Sequence, residues 1–197
     1  MRKFVLCTIV ASCFQMVTLA QAQQIDLMFG ESTLFSSTSN SASLTTVGAE
    51  KGGGYLAAGA NVMFKHRFGL NVEGAWRAKQ GLNAFGQPYR PILVDGNGLF
   101  QPRISEKIGV DLMGGVGFQL TRFYGLPQNS ACVNYTVCYV SDTHFLVHMG
   151  GGLRYYVFGR FFLRPEAHYY YVNNNFQFHS GNIVRLGASL GYTFGSK

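Results

Sequence analysis

The sequence predicts an all-β chain that closes into a transmembrane, eight-stranded, antiparallel up-and-down β-barrel. Three observations carry that expectation. After residue 24 the chain reads as eight runs in which apolar residues alternate with small or polar ones, the period of a strand with one apolar face. Charged residues make up only 13% of the chain and aromatics 15%, whereas a soluble domain carries about 25% charged residues. The breaks between runs alternate long and short, as in barrels with long outer loops and short periplasmic turns.

The first 22 residues read as a secretory signal peptide. Arg2 and Lys3 form a basic start, Phe4 to Leu19 is mostly apolar, and Ala20-Gln21-Ala22 fits the small-residue cleavage rule. The barrel domain is then 23–197, exported to a bacterial outer membrane. Val10-Ala11-Ser12-Cys13 resembles a lipoprotein box, but Phe14, Met16, Val17 and Leu19 stand where a polar tether would follow. After residue 22 no apolar run reaches the roughly 20 residues a membrane helix needs. The formal charge is +7 with neutral histidines, yet the basic residues are scattered and no Lys/Arg cluster marks a nucleic-acid surface. Attraction to anionic lipid headgroups accounts for the excess more simply.

The runs follow in order. The first, Ile25–Phe35, has two possible phases; a lipid-facing acid near mid-membrane is disfavoured, so Glu31 is expected to point inward and Asp26 outward. The second, Gly54–Phe64, sends Leu56, Ala58, Ala60, Val62 and Phe64 one way, and Ala57, Gly59, Asn61 and Met63 the other. Lys65-His66-Arg67 is a tight turn. The third, Phe68–Ala78, points Phe68, Leu70, Val72 and Trp76 outward, with Asn71, Glu73 and Arg77 inside. The fourth, about Ile92–Phe100, hides Asp95 and Asn97. The fifth, Ile108–Arg122, hides Asp111, Met113, Gln119 and Thr121. The sixth, Thr143–Val157, carries His144, His148, Arg154 and Tyr156 inside. Phe158-Gly159-Arg160 is a tight turn that sets Val157 opposite Phe161. The seventh, Phe161–Val172, holds Arg164, Glu166, His168 and Tyr170 inside, and its Pro165 calls for a site with no ladder donor, such as a bulge. The eighth, Ile183–Phe194, exposes Val184, Leu186, Ala188, Leu190, Tyr192 and Phe194.

This placement sorts the outward aromatics. Phe64, Phe68, Phe100, Phe161, Tyr192 and Phe194 fall near one membrane interface, and Trp76, Tyr169 and Tyr171 near the other, as interfacial girdles require. An open sheet would leave two unpaired edges in hydrocarbon, so the first and last runs are expected to pair.

The interior is expected to hold an ion-pair network of Glu73, Arg77, Asp95, Asp111, Arg154, Arg164, Glu166 and Arg185. An uncompensated buried charge costs several kcal/mol, so these groups should neutralise one another. The turn register sets Arg154 beside Arg164, with Glu166, Asp111 and Asp95 at similar depth, a salt-bridged plug in the periplasmic half. His144, His148 and His168 differ in strand or in depth, which speaks against a metal site; no metal and no cofactor is expected.

The closing segment Arg185-Leu-Gly-Ala-Ser-Leu-Gly-Tyr-Thr-Phe194 resembles the C-terminal signal of outer-membrane barrels, although Gly-Ser-Lys follows it and Ser189 replaces a frequent Gly. That resemblance implies recognition by the barrel-assembly machinery. Gly150-Gly-Gly-Leu-Arg-Tyr-Tyr156, followed by Arg164-Pro-Glu166, is similar to small outer-membrane β-barrels of the OmpA/OmpX-like class. The class implies the architecture and says little of function. Outer-membrane lipids and lipopolysaccharide are the implied surroundings.

Three functions are weighed. A structural or loop-binding barrel with a filled lumen comes first, because a long Ser/Thr-rich first loop and a braced third loop favour contact with an extracellular ligand. Phe176, Phe178 and Tyr135 are loop aromatics suited to such contact. A narrow gated ion path is second, with the histidines as pH-responsive groups. A lipid A-modifying enzyme is third: His179-Ser180 suggests it, but adjacent strand residues point to opposite faces and no orienting third group is evident. No catalysis is therefore expected.

Cys7 and Cys13 leave with the signal peptide. Cys132 and Cys138 remain in a polar segment of an exported chain, and an even pair in an oxidising compartment reads as a disulfide. Closing so short a loop stabilises by ~2 kcal/mol. Denatured mature protein should therefore take up a maleimide label only after reduction; labelling of both thiols without reductant would refute the bridge.

Overall fold

Alternation of apolar and polar residues becomes nine strands in the computed structural model, which describes residues 24–36, 52–65, 67–82, 86–124, 139–174 and 181–195. The signal peptide, Cys132 and Cys138, His179 and Ser180, and the loop residues Tyr135, Phe176 and Phe178 lie outside the described residues. The strands are β1 (Gln24–Ser36), β2 (Gly54–Lys65), β3 (Phe68–Arg77), β4 (Gly81–Leu82), β5 (Pro88–Phe100), β6 (Ile108–Tyr124), β7 (Tyr139–Phe158), β8 (Phe161–Val172) and β9 (Asn182–Gly195). Eight of them form the wall. β4 is a two-residue strand pairing with Pro88 and Tyr89 at the start of β5; it falls in the loop expected after the third run.

The wall is closed. Neighbours run β3-β2-β1-β9-β8-β7-β6-β5, and β5 returns to β3. β1 and β9 pair antiparallel from Gln24↔Gly195 to Ser36↔Ile183, and β3 meets β5 from Phe68↔Phe100 to Trp76↔Ile92. Closure removes the two edges of unpaired amides that an open sheet would expose.

Each strand keeps its alternation. β8 is strictly exposed-buried from Phe161 to Val172. The outward set is large and apolar: Val72 is 60% exposed and Met149 65%. An apolar surface this extensive around a whole barrel is far beyond the isolated patches of soluble monomers.

The inward face is layered along the barrel axis. At the long-connection end Leu34, Tyr55, Leu93, Leu146, Tyr170 and Ile183, none of them accessible, pack with Ala57, Ala75 and Val172. Toward the short connections lie two smaller clusters, Met63 with Leu99 and Met113, and Met28 with Tyr156 and Phe162. Charged and amide side chains fill the middle.

Three expectations are corrected. The phase of β1 is the reverse of the one expected: Asp26 is buried and Glu31 is exposed. Glu31 pairs with Leu56, two positions from the start of β2, so its carboxylate sits at the rim. A charge on the outer face costs only roughly 0–1 kcal/mol near the interface, while Asp26 gains an arginine partner inside. Second, Val157 does not face Phe161. The β7–β8 register slips between Tyr156 and Phe158, Phe158 pairs with Phe161, and Val157 is the extra residue of a bulge. Gly159 takes a φ of 55° to complete that turn. Third, no bulge forms at Pro165; β7–β8 pairing lapses between Tyr155↔Leu163 and Gly152↔Glu166 and resumes in the same register. Pro165, which has no N–H to give, falls in that gap and keeps its pairing to Ala188 on β9.

The seam offers a direct test. Phe29 and Leu190 are register partners with outward side chains. Cysteines at those two positions should cross-link on mild oxidation, as peptide mass spectrometry would show, because paired Cα atoms lie within disulfide reach. Cysteines at Phe29 and Val184 should not; the opposite outcome would deny the register.

Candidate functional site: the buried polar belt

Inward parity on all eight wall strands delivers polar side chains to the middle of the barrel. Five buried carboxylates (Asp26, Glu73, Asp95, Asp111, Glu166) face three buried guanidiniums (Arg154, Arg164, Arg185) and two buried imidazoles (His148, His168). Five acidic side chains thus meet five basic ones, of which the three guanidiniums carry a permanent charge.

The part nearer the short connections is built around Arg154 of β7. Its Nη1 donates to Asp26 Oδ2 at 2.7 Å, and its Nη2 to Asp111 Oδ2 at 2.9 Å. The guanidinium lies over the Phe162 ring, 4.0 Å from the centroid. Gln24 donates to the other oxygen of Asp26 at 2.8 Å, and Gln101 to Asp111 Oδ1 at 3.0 Å.

Asp111 joins this part to the next. Arg164 Nη1 donates to the same Oδ2 at 3.3 Å, while Arg164 Nε donates to Glu166 Oε2 at 2.8 Å and its Nη2 to Glu73 Oε2 at 3.2 Å. Ser189 donates to Glu166 at 3.0 Å, and Arg185 Nη2 donates to Glu73 Oε1. Arg154 and Arg164 therefore converge on one carboxylate.

A second chain crosses the lumen through amides and imidazoles. Asn71 donates to Asn61, and Asn97 to Asn71, each at 2.8 Å. His148 Nδ1 is 2.7 Å from Asn97 Oδ1 and 3.2 Å from Asp95 Oδ1. His148 Nε2 meets His168 Nδ1 at 2.9 Å, with the rings stacked at 5.1 Å. His168 Nε2 then faces Glu166 Oε1 at 3.5 Å. Glycine makes the room: a Cβ on Gly150 would lie 2.7 Å from His168 Nδ1 and 2.8 Å from His148 Nε2.

The structure thus brings Glu73, Asp111, Arg154, Arg164, Glu166 and Arg185 into contact. Asp95 joins through His148. Arg77 stands apart at the long-connection end, donating to the Tyr89 hydroxyl at 2.8 Å. Asp26 was missed because the phase of β1 was misjudged. The contact between His148 and His168 corrects the expectation that they sit apart. Register holds the missing signal: His148 faces Tyr170 and Gly150 faces His168, so the two histidines are diagonal neighbours. His144 lies at the rim, 3.5 Å from Asp142.

No protein-family model and no curated protein sequence matches the chain. Solved structures do. Ail of Yersinia pestis, in complex with the heparin analogue sucrose octasulfate, is 14% identical with a TM-score of 0.57, the match covering 87% of this chain and 98% of Ail. Neisserial surface protein A is 11% identical at a TM-score of 0.57, covering 87% of this chain and 96% of that one. The outer membrane protein OprG of Pseudomonas aeruginosa is 13% identical at 0.53, covering 89% and 97%. The chain has the fold of the small outer-membrane β-barrels.

In such a barrel the outer aromatics have meaning. At the short-connection end Phe68 and Phe100 lie 5.0 Å apart, Phe161 and Tyr192 4.8 Å, and Tyr192 and Phe194 4.6 Å. Phe64 is exposed at the same end. Trp76 is half-buried, and Tyr169 and Tyr171 are exposed, on the outer face toward the long connections. Glu73, Glu166 and His168 bring donor atoms within 4.8 Å of one another, the spacing of a metal site. A guanidinium already fills the cation position: Arg185 Nη2 bonds Glu73 Oε1 and lies 3.9 Å from Glu166 Oε1.

Breaking a buried pair leaves a charge uncompensated and costs about 3–5 kcal/mol. Arg154→Met should destabilise the barrel by that amount in urea, read by fluorescence of Trp76, the single tryptophan of the chain. Combined with Asp26→Asn, the loss should fall short of the sum of the two by ~0.5–3 kcal/mol. Strict additivity would mean that the pair is not coupled.

Proposed function

We propose that this chain is an integral protein of a bacterial outer membrane, structural or surface-binding in role, which works through its long-connection end and does not conduct. The observation that carries the reading is the filled interior. The apolar layer of Leu34, Tyr55, Leu93, Leu146, Tyr170 and Ile183 stands above the polar belt, and none of these side chains is accessible. Eight strands enclose a space that side chains can fill. The export signal read from residues 1–22 and the Tyr192-Thr-Phe194 run near the end of the last strand support delivery to the membrane by the barrel-assembly machinery. No catalytic step is assigned.

Lipopolysaccharide is the outer-leaflet partner this reading favours. Arg90 and Arg122 are direct register partners on β5 and β6, both on the outer face near the long connections. Like charges directly opposite on one sheet face repel. The Nε of each has no hydrogen-bond partner among the described residues. A phosphate between the two guanidiniums would offset their repulsion. Ail, which shares the fold, is solved in complex with the heparin analogue sucrose octasulfate, and this supports a polyanionic glycan as the kind of partner.

One observation favours a narrow ion path instead. The row from Asn61 through Asn71, Asn97 and His148 to His168 is continuous, with Glu166 Oε1 3.5 Å beyond, and imidazoles relay protons.

Planar-bilayer recording of refolded protein decides between them. A flat baseline at pH 7 and at pH 5 is expected; stable steps at either pH would replace the filled barrel by the ion path. In a separate arm, Arg90→Glu combined with Arg122→Glu should weaken retention of lipopolysaccharide by fivefold or more, since each basic group near an anionic surface contributes about 1 kcal/mol. Unchanged retention would remove that partner.

A further inference from the structure

We infer that the outer wall carries a seat for one anionic glycerophospholipid of the periplasmic leaflet, at the seam where the β7–β8 turn meets β9 and β1. The inference rests on the outer-membrane reading above. A groove of about 470 Å³ opens there on the outer face, within the roughly 300–1,000 Å³ range of small-molecule sites. Phe158, Phe161 and Tyr192 form one side; Leu27, Phe29 and Leu190 form the other. The aromatic side is continuous, with ring centroids 5.0 Å apart from Phe158 to Phe161 and 4.8 Å from Phe161 to Tyr192. The lining is hydrocarbon but for the Tyr192 phenol and the Met28 thioether, so its occupant is hydrocarbon too.

Local structure explains why the groove lies there. The bulge at Val157 bends the end of β7 away from its regular pairing with β8.

The second observation is charge. Gly159 and Arg160 form the turn between Phe158 and Phe161, and the carbonyl of Arg160 accepts a hydrogen bond from Thr193 N at 3.0 Å. That bond fixes the backbone of Arg160, whose side chain is exposed, next to the groove residue Phe161 at the short-connection end. The same rim exposes Arg67, Arg103 and Lys107 against a single exposed acid, Glu106, among the described residues of the short connections. A hydrocarbon slot with a cation at its headgroup end selects an acyl chain with a phosphate attached, not a neutral lipid. The short turns face the periplasm in this architecture, which places the phosphate in the inner leaflet.

Native mass spectrometry of the full chain refolded in detergent tests this, with phosphatidylglycerol, dioleoylglycerol and glycerol phosphate as separate probes. One phosphatidylglycerol should be retained in preference to a statistical ladder. Leu190→Trp, which fills the groove, should weaken retention about tenfold, equal to ~1.4 kcal/mol. Arg160→Glu should weaken phosphatidylglycerol while leaving dioleoylglycerol unchanged. Val116→Trp, an outward position on β6 away from the groove, should change neither. Equal retention by the Leu190→Trp and Val116→Trp proteins, binding of glycerol phosphate alone, or displacement of lipid by a second copy of the chain would overturn the seat. Heat-modified gel mobility separates the two levels. A chain that never folds in detergent defeats the outer-membrane reading itself; a folded chain without selective retention defeats only the seat.

Discussion

Backbone hydrogen bonding is the constraint from which the rest of this molecule follows. Every strand amide in the wall must find a carbonyl on a neighbouring strand, because hydrocarbon supplies neither donor nor acceptor. The β1–β9 seam and the β3–β5 junction meet that demand at the two places where an open sheet would fail. Once the ring is closed, outward side chains are free to be apolar without consequence for the ladder. Inward side chains then lose contact with bulk water and must satisfy one another.

That second demand explains the composition of the interior. Eight strands give a core narrow enough for side chains to meet across it, so Arg154 on β7 reaches Asp26 on β1 and Asp111 on β6 at once. Such a network is weak evidence for added stability, since well-packed apolar groups of similar volume often do as well. Its clearer effect is on register. A slip of one residue in β1 would turn Asp26 to the apolar outer surface and Leu27 into the charged belt. Arginines that each contact two or three strands hold the pairings of those strands in step.

Much of this was legible in the sequence. The parity of the second and seventh runs is unambiguous, since Leu56 to Phe64 and Leu163 to Tyr171 alternate without a break. The phase of the first run was misread because one acid, Glu31, was given more weight than the apolar set Ile25, Leu27 and Phe29 on the same parity. Depth decides what such an acid costs, and depth is not written in an alternating pattern. The bulge at Val157 was equally hidden: Phe158-Gly159-Arg160 announces a turn without stating which residues close it. The pairing of His148 with His168 depends on register across that turn. The apolar layer of Leu34, Leu93 and Leu146 shares parity with the charged residues beside it, and a search for polar inward positions passes over it.

The contact between Arg154 and Asp26 spans 128 positions of the chain. Neither residue can be neutralised by the other while the sheet remains unrolled, because their strands approach only through the β9 side of the ring. An unclosed sheet therefore leaves Asp26 without Arg154, although Arg154 keeps Asp111 on the adjacent strand β6. A carboxylate without its partner costs several kcal/mol away from water, and Asp26 gains its partner when the β1–β9 seam closes. The Arg154–Asp26 contact is thus an interaction that a finished cylinder holds and a curled ribbon lacks.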